Sequence, residues 1–90
     1  MRSLEVKFLF DGVLFTTPIY ILNSSAENRR VEFFVTFSTK YLIKEYGRSY
    51  KMVYENNRFT PIFSEKQKER ELIRSIQDAI KSHPETLLVA

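Results

Sequence analysis

Apolar and polar residues alternate with a period of two through most of the first sixty positions, then recur at helical spacing. A period of two sends successive side chains to opposite faces of a strand, whereas spacings of three and four keep them on one side of a helix. The chain therefore predicts an antiparallel sheet followed by one helix, with the change of period near Phe63.

Leu4, Val6, Phe8 and Phe10 fall on one face of a first strand, with Glu5, Lys7 and Leu9 on the other. Asp11-Gly12 follows at once, a dipeptide suited to the positive φ angles of a two-residue type I′ turn. Residues 13–22 return with Val13, Phe15, Ile19 and Ile21 on one face and Leu14, Tyr20 and Leu22 on the other. Pro18 has no N–H to give a ladder, so this strand is expected to lie at an edge or to be bulged there. Residues 23–28 read as a polar loop. A third strand over about 29–38 sets Val31, Phe33, Val35 and Phe37 against Glu32, Phe34, Thr36 and Ser38.

Residues 39–48 fit either a continued strand or a helical turn through Tyr41, Leu42 and Ile43. Tyr50, Met52 and Tyr54 then alternate with Lys51, Val53 and Glu55 in a fourth strand. Asn56-Asn57 predicts a second tight turn, because Asn tolerates left-handed angles. Residues 58–62 form a short fifth strand that Pro61 confines to an edge. Ser64 with Gln67 matches a capping box and predicts a helix over 65–82, with Leu72, Ile73, Ile76, Ala79 and Ile80 as its apolar stripe. His83-Pro84 ends it. The tail, 83–90, either covers part of the sheet or frays.

The fold expected is α+β: a single domain with a four- to five-stranded antiparallel meander over about 3–63 and one C-terminal helix packed on a face. A helix of about eighteen residues is roughly 27 Å long and covers only one face. Leu9, Leu14, Tyr20, Leu22 and Phe34 lie on the other, which makes them a candidate partner surface unless the sheet's own curvature folds over them. A homodimer is the least demanding occupant, since identical patches meet about a two-fold axis.

Composition narrows the chemistry. The chain is 43% hydrophobic and 28% charged, the balance of a folded globular protein. It contains no cysteine, which excludes disulfides and thiolate metal sites, and His83 is its one histidine, too few nitrogen ligands for zinc. No glycine-rich phosphate loop or nucleophile elbow is present, so no cofactor and no enzymatic role are expected. The first residues mix apolar with charged positions, and no apolar run nears the ~20 residues that span a bilayer. A cytoplasmic protein without a membrane partner is the expectation, and an interaction or self-association domain is the first functional reading.

Charge suggests a second. The net charge is +3, and residues 40–63 carry five basic groups against two acidic ones. Basic and aromatic residues interleave over 40–59, the combination that neutralises phosphates and stacks bases in single-stranded nucleic acids. Lys44, Arg48, Tyr50, Lys51 and Arg58 are the candidate contacts, although alternation must turn half of such a stretch into the core. The order of strands and then helix also resembles the strand-rich repeat of Pur-type and whirly nucleic-acid binders, a fold-level likeness that implies the same partner class. A pocket between sheet and helix would give a third reading, ligand binding or catalysis.

Overall fold

A computed structural model of the protein describes residues 2–25 and 30–86. The predicted loop residues 26–28 and tail residues 87–90 lie outside them. Five antiparallel strands pair in sequence order as a curled meander: β1 (Arg2–Phe10), β2 (Val13–Ser25), β3 (Arg30–Thr36), β4 (Ser49–Glu55) and β5 (Arg58–Phe59). A short helix, α1 (Lys40–Tyr46), links β3 to β4. The long helix, α2 (Gln67–Ser82), packs against the sheet, and one 3-10 turn, Pro84–Thr86, follows it.

Both predicted turns form. Asp11 and Gly12 have φ of 54° and 78°, with Phe10 opposite Val13 across them. Asn56 and Asn57 have φ of 56° and 66°, between Glu55 and Arg58. Pro61 limits the strand that follows: β5 is two residues long, extended only by the bond from the Thr60 N–H to the Val53 carbonyl (2.8 Å).

The first hairpin fixes where backbone groups point. A two-residue loop closes on a hydrogen-bonded pair, so the even residues of β1 bond to the odd residues of β2. The even residues of β2 then turn toward β3. Pro18 is one of them and would face Thr36, but the β2–β3 ladder begins one step later, at Ile19 and Val35. The Thr36 carbonyl is met instead by the Thr17 hydroxyl, which donates to it over 2.7 Å. The strand is thus neither a sheet edge nor bulged at Pro18. It lacks its β3 neighbour at that one level, and its irregularity comes at Leu22, between Ile21 and Asn23. Beyond it β2 continues through residues 23–25, which the sequence assigned to a loop.

The core is one-sided. Leu4, Val6, Phe8, Phe10, Ile19, Phe33, Val35, Met52 and Tyr54 of the sheet, with Phe37 just past β3, are buried in one core with Leu72, Ile73, Ile76 and Ile80 of α2. The ambiguous stretch is the helix α1; Leu42 is its buried residue, and Gly47, at φ 93°, stops it. Directly below, the Phe37 N–H bonds to the Arg48 carbonyl (2.9 Å) and closes the mouth of β3 and β4.

α2 starts later than the capping box predicts. Lys66 occupies the N-cap without a side-chain bond, and the Ser64 hydroxyl accepts from the Lys66 N–H (3.1 Å) in a turn of its own. The helix runs back along β1 and is tied at both ends. Lys68 meets Asp11 of the first turn at 2.6 Å, and Arg2 donates to the Glu85 carbonyl. The 3-10 turn is folded rather than frayed: the hydroxyl of buried Thr86 lies 2.7 Å from the His83 carbonyl and 2.9 Å from that of Ile80, which also accepts from the His83 N–H (3.2 Å). Among the described residues, no helix is long and apolar enough to cross a membrane.

Candidate interaction surface

With α2 on one side, alternation puts Glu5, Lys7 and Leu9 of β1 on the helix-free side of the sheet. Leu14, Thr16, Pro18 and Tyr20 of β2, Glu32 and Phe34 of β3, and Lys51 and Val53 of β4 join them there. Four of the five residues proposed as a partner surface, Leu9, Leu14, Tyr20 and Phe34, belong to this outer side. They form two groups rather than one. Leu9 and Leu14 are direct cross-strand partners, 62% and 64% exposed. Tyr20 and Phe34 are also direct partners, each half-buried, in a row that runs Ser3, Tyr20, Phe34, Lys51. Leu22 stands exposed at the irregularity beside them. Along β2 the six steps from Leu14 to Tyr20 span about 20 Å.

The charged groups on this face are largely used up on one another. Arg30 donates to Glu32 (3.0 Å) and to Glu55 (2.9 Å), and Lys51 reaches Glu32 at 3.5 Å. The hydrogen bond from Arg30 holds the Glu32 carboxyl below its ordinary pKa, and the bond to Glu55, followed by that to Glu32, raises the guanidinium's. The result is a nearly neutral chain of ion pairs across β3 and β4.

The residues proposed to hold nucleic acid are not brought together. Lys44 is exposed on α1, and Arg48 directly precedes β4. Lys51 lies on the outer face beside Glu32, and Arg58 sits past the turn at the opposite end of β4, across from Glu55. Tyr50 turns the other way, toward α2. Its ring packs edge-on to Phe37 at 5.7 Å, and its hydroxyl donates to Glu69 over 2.7 Å. Burial, with that bond to Glu69, pushes the phenol pKa far above its usual value. The Ser64 hydroxyl and then the Tyr50 hydroxyl hold the Glu69 carboxyl below its own. This tyrosine ties sheet to helix and offers no face for a base to stack on.

Between sheet and helix the space is taken by Phe33, Met52, Leu72, Ile76 and Ile80, all fully buried. Surface depressions lie at the ends of α2, one lined by Arg2, Leu4 and Pro84 and another by Ile62, Phe63 and Arg70. Among the described residues, no three His, Asp or Glu side chains gather as a metal site would need. Phe63, 93% exposed between Pro61 and the helix, is an apolar surface residue the sequence reading passed over. The available signal was that neither period holds there. Comparison with known proteins found no family model, no curated protein and no solved structure that matches the chain.

Proposed function

We propose that this chain is a small non-enzymatic self-association domain that meets a second copy through the part of the sheet α2 leaves bare. The observation that carries this reading is the Leu9–Leu14 pair, two leucines directly opposite each other on the uncovered face and both more than half exposed. The apolar surface of that pair favours removal from water at about 25 cal/mol per Å². The neutral Arg30–Glu32–Lys51–Glu55 chain favours a like partner, because two copies of such a face meet without net repulsion. A polyanion draws less support, since it needs a run of unpaired cations. Sedimentation velocity over a concentration series tests the reading. A dimer that L14K converts to monomer, with the circular dichroism unchanged, is the expected result. A strict monomer at about millimolar concentration refutes it. An oligonucleotide titration at low salt, with steeply salt-dependent binding, would favour the nucleic-acid alternative instead.

A further inference from the structure

Strand β1 is one edge of the sheet, nine residues long and without proline or bulge, whereas the other edge, β5, is two residues blunted by Pro61. The parity set by the first hairpin points the N–H and C=O groups of Ser3, Glu5, Lys7 and Leu9 away from β2, out of the open edge. Among the described residues, no backbone hydrogen bond other than those to β2 reaches this strand. Their side chains are exposed, so α2 covers the inner face of β1 and leaves its outer face free. An edge of this kind is a template for another strand.

We infer that the second copy docks here, its β1 antiparallel to this β1 about a two-fold axis at Val6. The inference rests on the self-association reading but joins the copies along the edge of the bare face, so the two outer faces lie side by side instead of one covering the other. A two-fold perpendicular to the sheet keeps the two outer faces on one side, so the axis must pass through a residue rather than between residues. An axis at Glu5 sets Glu5 against its own copy, and one at Lys7 does the same with lysines. Both bring like charges together. At Val6, Glu5 faces Lys7 of the second copy and Lys7 faces its Glu5, opposite charges in the directly paired positions where cross-strand side chains interact. The same axis matches the full length of β1 with itself, Arg2 against Phe10 at each end.

A third consequence is independent of charge. With the axis at Val6, Leu9 falls opposite Ser3 of the second copy. Within each protomer Leu9 is already paired with Leu14, and Ser3 with Tyr20, itself paired with Phe34. The two apolar groups that stand about 20 Å apart in the monomer thus become one row across the joint: Leu14 and Leu9 of one copy, then Ser3, Tyr20 and Phe34 of the other. Only the small serine lies between them, and the row occurs twice by symmetry. No other register of β1 with itself aligns these rows.

Charge reversal tests the register. Glu5 and Lys7 are exposed on the outer face, so E5K, K7E and the double variant E5K/K7E should fold alike by circular dichroism. Sedimentation velocity should show a wild-type dimer, a midpoint raised about tenfold or more in each single variant, and recovery in the double variant. Single variants that dimerise as well as wild type overturn the inference, as does a double variant weaker than either single one. If the dimer ignores all three changes but is lost in L14K, this geometry fails and the self-association reading survives. A wild-type chain that stays monomeric at about millimolar concentration removes both.

Discussion

Replacing Thr17 with valine would remove one hydroxyl and little else. Thr17 is 1% exposed, valine fills nearly the same volume, and the backbone stays extended. What disappears is the donor that meets the Thr36 carbonyl at 2.7 Å, in the place where residue 18 has no N–H. Leaving a buried acceptor unpaired costs about 1–3 kcal/mol, and the partial burial of this bond puts the expectation at about 1.5 kcal/mol. With a urea m-value of about 1–3 kcal/mol/M, the unfolding midpoint should fall by roughly 0.5–1.5 M. The P18A background supplies the sharper comparison. An N–H at position 18 lets the β2–β3 ladder extend to Thr36, so T17V should cost less there than in the wild type. A double-mutant cycle in urea measures that coupling. If T17V changes stability by less than about 0.3 kcal/mol, or costs the same with and without Pro18, the hydroxyl is not standing in for the missing amide.

Other expectations follow from the core and from Tyr50. I76A empties a fully buried position facing the sheet and should cost about 2–5 kcal/mol, a large share of the roughly 5–13 kcal/mol a domain of this length holds; chemical denaturation checks it. Y50F removes the bond to Glu69 and should cost about 1 kcal/mol at neutral pH, discounted for the partial exposure of the pair. Because the folded state lowers the Glu69 pKa, this stabilisation is complete above the ordinary carboxyl value of 4.5 and fades as the pH falls through the lowered one. The wild type and Y50F should therefore converge in stability on acidification. A difference that grows toward low pH would contradict the assignment.

The strands and turns were legible because their cause is local. Asp11-Gly12 and Asn56-Asn57 carry the only backbone chemistry their turns need, and alternation names the buried face of β1, β3 and β4 residue by residue. The start of α2 was less legible. Ser64 satisfies the capping pattern, but its hydroxyl is held by the Lys66 N–H and by Glu69, contacts that depend on how the preceding segment crosses the molecule. Residues 40–46 gave no clear period because a helix of two turns needs only Leu42 to be buried. On the candidate surface, pairing sets Leu9, Leu14, Tyr20 and Phe34 on one side, with Leu22 at the irregularity between Ile21 and Asn23. Their separation was invisible, since it depends on pairing register: Leu9 opposite Leu14, Tyr20 opposite Phe34. The basic set failed to gather for the same reason, with Tyr50 and Lys51 adjacent in sequence and on opposite faces of β4.

The helix that covers β1 is made well after it, behind four further strands and α1. Leu4, Val6, Phe8 and Phe10 leave the ribosome well before Leu72, Ile76 and Ile80, which share their core. At about 5–20 residues per second, the interval between Phe10 and Ile80 is roughly 4–14 s. The meander can zip up strand by strand in that time, since each strand pairs with the one before it. Its inner surface nevertheless stays greasy and unlidded until α2 has been made. Substitutions in α2 should therefore weigh more heavily on yield in the cell, through aggregation and chaperone demand during synthesis, than their equilibrium cost alone would suggest.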